Sequence, residues 1–127
     1  MEITLDADSG TPMFRQLADQ LRVKISQGEL VAGDPLPSVR QMAAAVRVNL
    51  NTVAKAYRLL AEEGLVDLSH GKTARVIGMS TKTSGRVPAS AQRELEAWIA
   101  RLRTQGVGNK QLERAFSRAL ALSLGGR

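Results

Sequence analysis

The sequence contains no cysteine and only one histidine, His70, among its 127 residues. Disulfide bonds and thiolate metal sites are therefore excluded, and one histidine is too few to build a zinc or iron site within a chain. No phosphate-cradling loop of the Gly-x-x-x-x-Gly-Lys type is present, and the carboxylates are few and scattered. We therefore expect no enzyme active site, no metal and no cofactor.

Long apolar runs are also missing. No segment approaches the roughly 18 apolar residues that a membrane-spanning helix needs. The first residues, Met1–Thr4, lack the basic and then apolar pattern of a secretion signal. The sequence thus predicts a cytoplasmic protein without a membrane partner.

Positive charge is in excess overall, but the excess is confined to one part of the chain. The net charge is +6 and the pI is near 10.5, which suggests a polyanionic partner. Up to Ser80 nine bases balance nine acids, and after Ser80 nine bases face Glu94, Glu96 and Glu113. Net charge alone therefore does not assign the first part to DNA, and the local arrangement of residues has to do so.

Apolar residues recur at helical spacing in three early segments, each bounded by residues typical of helix ends. Ser38 and Gln41 have the spacing of a capping box, in which each side chain bonds the other residue's backbone. The expected helix starts are Thr11 (with Pro12 at the first helical position), Ser38 and Asn49. The expected helix ends are Gly28, Val46-Arg47 and Gly64.

After Gly64 the apolar period changes from helical to alternating. Two short strands, within 65–68 and 74–77, flank the turn formed by His70, Gly71 and Lys72. Three helices followed by a hairpin, with only a short turn between the second and third helices, predict an α+β winged helix-turn-helix.

Residues 79–88 form a polar linker between this domain, residues 1–78, and two further helical patterns in residues 89–127. Two amphipathic helices alone cannot bury both of their apolar stripes. A second copy of the same pair is the favoured cover, and packing onto the chain's own first domain is the alternative. The residues expected to line a dimer interface are Leu95, Trp98, Ile99, Leu102, Leu112, Phe116 and Leu120.

Several segments, in order and at matching spacing, closely resemble the GntR family of bacterial regulators. They are 12–17, 28–30, 33–43, 48–57 and 63–66. The two-helix end resembles the YtrA subfamily, whose members are linked to control of transport and cell-envelope genes. The wing departs from the usual Arg-Gly-x-Gly-Thr-Phe-Val of the family, because residues 70–76 keep only the first glycine and the final valine.

The third helix is expected to enter the major groove with its first residues at the base edges. Asn49 and Asn51 are candidate base or backbone contacts because an amide donates and accepts, and helix capping is their competing role. Thr52 and the helix N-terminus suit a phosphate. Lys55 and Arg58 lie on the same outward face, away from the apolar stripe.

The resemblance adds Arg40 to the candidate DNA contacts, since the family uses this arginine against DNA. Ser38 is chiefly a cap, with a hydroxyl within reach of a phosphate. The wing tip adds His70, Gly71 and Lys72, because glycine permits close backbone approach and its neighbours reach the minor groove or a phosphate.

These features predict a sequence-specific transcription regulator, a repressor that binds a palindromic operator in double-stranded DNA as a homodimer. The alternatives are an architectural winged helix that binds DNA without regulating one operator, and a winged helix used only for protein contacts. The polar outer face of the third helix favours the repressor. A small-molecule effector, whose existence and identity the sequence leaves open, would act by changing the angle between the two winged domains.

Overall fold

The computed structural model describes residues 1–69, 71, 73–79 and 85–125. Within them the chain forms two compact units, one comprising Met1–Met79 and the other lying within 85–125. No helix of the described residues is long and apolar enough to cross a membrane. The elements are α1 (Met13–Ser26), α2 (Val39–Val46), α3 (Leu50–Glu62), β1 (Val66–Asp67), β2 (Arg75–Val76), α4 (Ala89–Thr104) and α5 (Asn109–Gly125).

The predicted cap of α1 was wrong. Pro12, not Thr11, occupies the N-cap, with φ −55° and ψ 142° and no side-chain cap. Thr11 is thus one residue too early for its hydroxyl to reach the amides of the first turn. The side chain of Gln16 anchors the entering chain instead, because its Nε2 donates to the carbonyl oxygens of Thr11 and Asp6, both at 2.8 Å.

The predicted caps of α2 and α3 are confirmed. Ser38 Oγ accepts from the backbone N–H of Gln41 at 3.1 Å, and Gln41 Oε1 accepts from the backbone N–H of Ser38 at 2.9 Å. Asn49 Oδ1 accepts from the backbone N–H of Thr52 at 2.9 Å. Such caps satisfy amides that a helix start leaves without partners, so they define where α2 and α3 begin.

The core of the first unit lies where α1, α2 and α3 meet the small sheet. Its principal buried side chains come from the apolar faces of the three helices, from the two strands and, at Leu36, from the loop before α2. Tyr57 is buried, and its hydroxyl donates to the carbonyl oxygen of Pro37 at 2.7 Å. Burial raises the pKa of the Tyr57 phenol above its ordinary value. The principal buried residues are Leu17, Leu21, Ile25, Leu36, Met42, Val53, Ala56, Tyr57, Leu60, Val66 and Val76.

The wing is an antiparallel hairpin, as the alternating pattern predicted, and Val66 pairs with Val76 across it. Its second strand has another neighbour. The loop at 33–36 runs along the outer edge of β2, where Gly33 N–H donates to the carbonyl oxygen of Val76 and Leu36 N–H to that of Ala74, both at 2.8 Å. This loop covers the edge of the hairpin and ties the start of α2 to the wing. Together these elements confirm the α+β winged helix-turn-helix.

In the second unit, α4 and α5 meet through an aromatic pair. The rings of Trp98 and Phe116 lie edge to face, with centroids 5.5 Å apart and an interplanar angle of 67°. Leu112 is buried within the single chain. Leu95 and Trp98 remain 40% and 42% exposed, and Leu120 is 65% exposed. The two helices therefore bury only part of their apolar stripes.

Candidate nucleic-acid interface

The outer face of α3 is built by its helical period. Val53, Ala56, Tyr57 and Leu60 of α3 are buried in the core, so the opposite face of the helix points away from it. Asn51, Lys55 and Arg58 are exposed on this outer face. The helix therefore presents amide and cationic groups that can hydrogen-bond to base edges and phosphates.

Asn49 combines two roles that the sequence analysis left open. Its Oδ1 accepts from the backbone N–H of Thr52 at 2.9 Å and from Thr52 Oγ1 at 3.1 Å. The capping role is thus present, and it also engages the hydroxyl of Thr52. Within the described residues the Nδ2 group of Asn49 makes no hydrogen bond, so it remains a donor at the exposed start of α3.

Lys55 is the one outward cation of α3 whose side chain is held by a neighbouring element among the described residues. Its Nζ lies 4.1 Å from the centroid of the Phe14 ring on α1, within the range of a cation–π interaction. Arg15 approaches the same ring at 5.9 Å. The ring thus restricts where the Lys55 charge can lie.

Arg40 lies at the junction of two shallow cavities. The first, of about 410 Å³, brings the wing residue Gly71 beside Ser38, Val39 and Arg40. The second, of about 590 Å³, lies over the turn between α2 and α3. It is lined by Arg40, Ala43, Ala44, Val48, Asn49, Leu50 and Asn51. The start of α2, the start of α3 and the wing therefore share one continuous surface, which includes predicted site residues from all three elements.

This surface is free of acidic residues. No aspartate or glutamate occurs in residues 35–61, whereas four bases do: Arg40, Arg47, Lys55 and Arg58. Within the described residues none of these four forms an ion pair. The balanced charge of the first unit is therefore segregated along the sequence, because its acids lie outside residues 35–61 and Glu62, the last residue of α3, follows that stretch directly. The resulting positive surface suits a polyanion.

Of the predicted wing-tip residues, Gly71 lies within the described part of the chain. It has φ +78°, is exposed, and has open space where a side chain would project. A glycine in this conformation lets a backbone approach a partner closely. His70 and Lys72, the two other predicted wing contacts, lie outside the described residues.

Two exposed residues were not predicted from the sequence as part of the site: Leu50 lines the second cavity, and Arg47 directly precedes Val48, which also lines it. Arg47 follows α2 with φ 60° and ψ 50°, a left-handed conformation that most residues with a side chain avoid. Leu50 is the first residue of α3 and is 43% exposed. The acid-free stretch 35–61 was a signal for Arg47, whereas an exposed leucine next to a cap carries no signal until its neighbours in space are known.

Comparison with known proteins agrees with this geometry. The family model for bacterial regulatory proteins of the gntR family matches residues 14–76. The transcriptional repressor YtrA of Bacillus subtilis strain 168 is 39% identical over 70 residues, which cover 55% of this chain. That match spans only 54% of the B. subtilis protein.

Two solved structures are similar over most of the chain. YtrA from Sulfolobus acidocaldarius, a GntR-family transcription factor, has a TM-score of 0.60 at 33% identity and covers 80% of this chain and 97% of that one. A transcriptional antiterminator from Listeria monocytogenes EGD-e has a TM-score of 0.78 at 25% identity, covering 93% and 89%.

The fold and the cationic surface of α2 and α3 are those of a winged helix-turn-helix DNA-binding protein. The family match and the likeness to a member that the chain covers almost completely then identify it more closely. The chain belongs to the GntR family. Its C-terminal helices match those of YtrA-like structures, which confirms the resemblance to that subfamily. Its relatives are named as transcription regulators, in agreement with the expectation that it is not an enzyme.

Proposed function

We propose that the protein represses transcription by binding a palindromic operator as a homodimer. The observation that carries this proposal is the cavity that Arg40 shares with the first turn of the recognition helix, within a stretch, residues 35–61, that contains four bases and no acid. A regulator that reads base sequence needs such a combination, because cations supply affinity for phosphates and polar groups at the helix start supply discrimination.

In this proposal α3 enters the major groove of each half-site with its first turn at the bases. Asn51 contacts a base edge, because it is exposed and its amide is not used for capping. The Nδ2 group of Asn49 donates a hydrogen bond to the DNA, and the hydroxyls of Ser38 and Thr52 lie beside phosphates. The cations Arg40, Lys55 and Arg58 contact phosphates or bases, and the wing contacts the DNA through His70, Gly71 and Lys72.

The homodimer is proposed from the apolar residues that α4 and α5 leave exposed. Leu95, Trp98 and Leu120 are each 40% exposed or more, and Ile99 lies half-buried beside them on α4. A two-fold copy of the same surface would cover these residues. Leu112 is already buried in the single chain, so it and the Trp98–Phe116 contact support the helix pair on which the interface is built.

The regulated genes are proposed to encode transport or cell-envelope functions, in line with the similarity to YtrA. Two recognition helices in successive major grooves would bind half-sites centred about 10 base pairs apart. A dimer bound there blocks RNA polymerase. An effector would change operator affinity by altering the angle between the two winged domains.

The test is a binding selection on genomic DNA fragments at physiological salt, with the wild-type protein, Asn51→Ala and Arg40→Ala. We expect one short palindrome to be enriched by the wild type. Asn51→Ala should lose about 5- to 150-fold in affinity per half-site, the range for one base contact. Arg118→Ala, which removes an exposed cation of α5, serves as the control and should bind as the wild type does.

Uniform binding to all fragments would favour an architectural DNA-binding protein instead. Retention of the palindrome by both Asn51→Ala and Arg40→Ala would show that the α2–α3 surface is not the interface. The genes beside the selected palindromes would test the proposed regulon.

A further inference from the structure

We propose that Leu50 recognises the C5-methyl group of a thymine in the operator and so determines part of the sequence specificity. The inference rests on the proposed operator binding and extends it to a residue without a polar group. It follows from the position of Leu50, from the hydrogen bonds that its neighbour Asn49 makes as a helix cap, and from the cavity that Leu50 lines.

Leu50 occupies the position at which a recognition helix meets the bases. It is the first residue of α3, directly after the cap Asn49. In helix-turn-helix complexes the N-terminal residues of this helix contact base edges. Its side chain is 43% exposed, although Val53, Ala56, Tyr57 and Leu60 of the same helix are buried. The residue therefore lies outside the core, on the surface proposed to face DNA.

The side chain of Asn49, which precedes Leu50, is partly used by the helix cap. Asn49 Oδ1 accepts from both the backbone N–H and the hydroxyl of Thr52, at 2.9 and 3.1 Å. Its acceptor is thus directed into the helix start, and it cannot make a two-bond contact with a base. This leaves Leu50 and Asn51 as the side chains of the first turn that can face the bases without breaking the cap.

The cavity beside Leu50 has the chemistry of a methyl-binding site with a cationic rim. Ala43, Ala44 and Val48 line it together with Leu50, and Arg40 and Asn51 supply the polar groups. Thymine is the only base of ordinary DNA that presents an apolar group, its C5-methyl, in the major groove, and it places the O4 acceptor next to that methyl. The absence of acids from residues 35–61 suits the approach of DNA to this cavity.

The test uses the operator found in the binding selection. Each thymine is replaced in turn by deoxyuridine, symmetrically in both half-sites, because this change removes only the methyl group. Affinities are measured at one fixed salt concentration for the wild type, Leu50→Ala, Asn51→Ala and Val23→Ala. Val23 is an exposed apolar residue on α1, outside the surface, so Val23→Ala is the matched control. Circular dichroism melting confirms that each variant is folded.

We expect one thymine position at which deoxyuridine weakens wild-type binding by about fourfold per half-site, the value for one buried methyl-sized group. Leu50→Ala should be insensitive to that replacement, whereas Asn51→Ala and Val23→Ala should remain sensitive. The inference is overturned if the wild type binds the operator tightly but no replacement of thymine by deoxyuridine weakens its binding. It is also overturned if the replacement weakens the binding of Leu50→Ala as much as that of the wild type. Failure of the wild type to prefer any sequence would instead refute the proposed operator binding itself.

Discussion

The Nζ atom of Lys55 lies 4.1 Å from the centroid of the Phe14 ring, so a cation on the outer face of α3 is held against an aromatic side chain of α1. The two residues are far apart in sequence, and their contact forms only when α1 packs against α3. It links the stability of the first unit to the position of a charge on its proposed DNA-binding surface.

A double-mutant cycle should measure this link. Phe14→Leu and Lys55→Met should show a coupling of about 0.5 to 1 kcal/mol in the free energy of unfolding, the range for an exposed cation–π pair. Denaturant unfolding of the two single variants and the double variant gives the value. Arg58→Met, on the same helix but away from the ring, should not couple to Phe14→Leu. Equal coupling of Lys55 and Arg58 to Phe14 would mean that the cation–π contact between Lys55 and Phe14 does not stabilise the fold.

Arg47→Gly should stabilise the protein by about 1 kcal/mol, because glycine adopts the left-handed conformation at φ 60° without steric cost. Thermal unfolding of the wild type, Arg47→Gly and Arg47→Lys tests this, and Arg47→Lys, which keeps a side chain there, should melt as the wild type does. If Arg47 also neutralises a phosphate, Arg47→Gly makes the decrease of log affinity with log salt concentration less steep, by about 0.9 per half-site. A lower melting temperature for Arg47→Gly would contradict the strain at this position.

Asn49→Ala should cost about 1 kcal/mol in the free energy of unfolding, the usual effect of removing a helix cap. Asn49→Ser keeps an oxygen for the Thr52 amide and should restore most of the stability. Operator affinity should then fall less for Asn49→Ser than for Asn51→Ala, because the cap is the main task of Asn49. An equal loss of operator affinity in these two variants would assign Asn49 a direct role in base recognition.

The Lys24–Glu29 pair predicts a pH effect. Lys24 Nζ lies 2.7 Å from Glu29 Oε2, and this hydrogen bond lowers the pKa of the Glu29 carboxyl below its ordinary value. Since the pKa is lower in the folded state, the pair stabilises the fold at neutral pH, and this contribution is lost as the pH falls through the lowered pKa. Lys24→Met should raise the pKa of Glu29 in an NMR titration, whereas Lys24→Arg should not. An unchanged titration in Lys24→Met would refute the contact.

Leu120→Asp should abolish dimerisation and leave the first unit folded. The side chain is 65% exposed, so the charge harms only a surface that a second copy would cover. Sedimentation velocity gives the oligomeric state, and circular dichroism reports the helices. Ala91→Asp, at an exposed position early in α4, is the control and should remain dimeric. Persistence of the dimer in Leu120→Asp would place the interface elsewhere.

The sequence alone determined the family of the chain and the residues at which α2 and α3 begin. The capping box of Ser38 and Gln41 and the cap at Asn49 were predicted correctly because caps depend on residues three positions apart. The helical spacing of apolar residues predicted the buried face of each helix of the winged domain, because this spacing is also local in the sequence. The cap at Thr11 failed because Pro12 took the N-cap position and Gln16 anchored the chain entering α1.

Only the tertiary structure decided which of these elements share a surface. The pairing of loop 33–36 with β2, the Phe14–Lys55 contact and the cavity joining Arg40 to Leu50 all connect residues from different elements. Local periodicity and caps act within one or two helical turns, so they define elements but not how the elements pack against each other. That packing depends on the fit of side chains in the whole core, which exists only once the chain has folded.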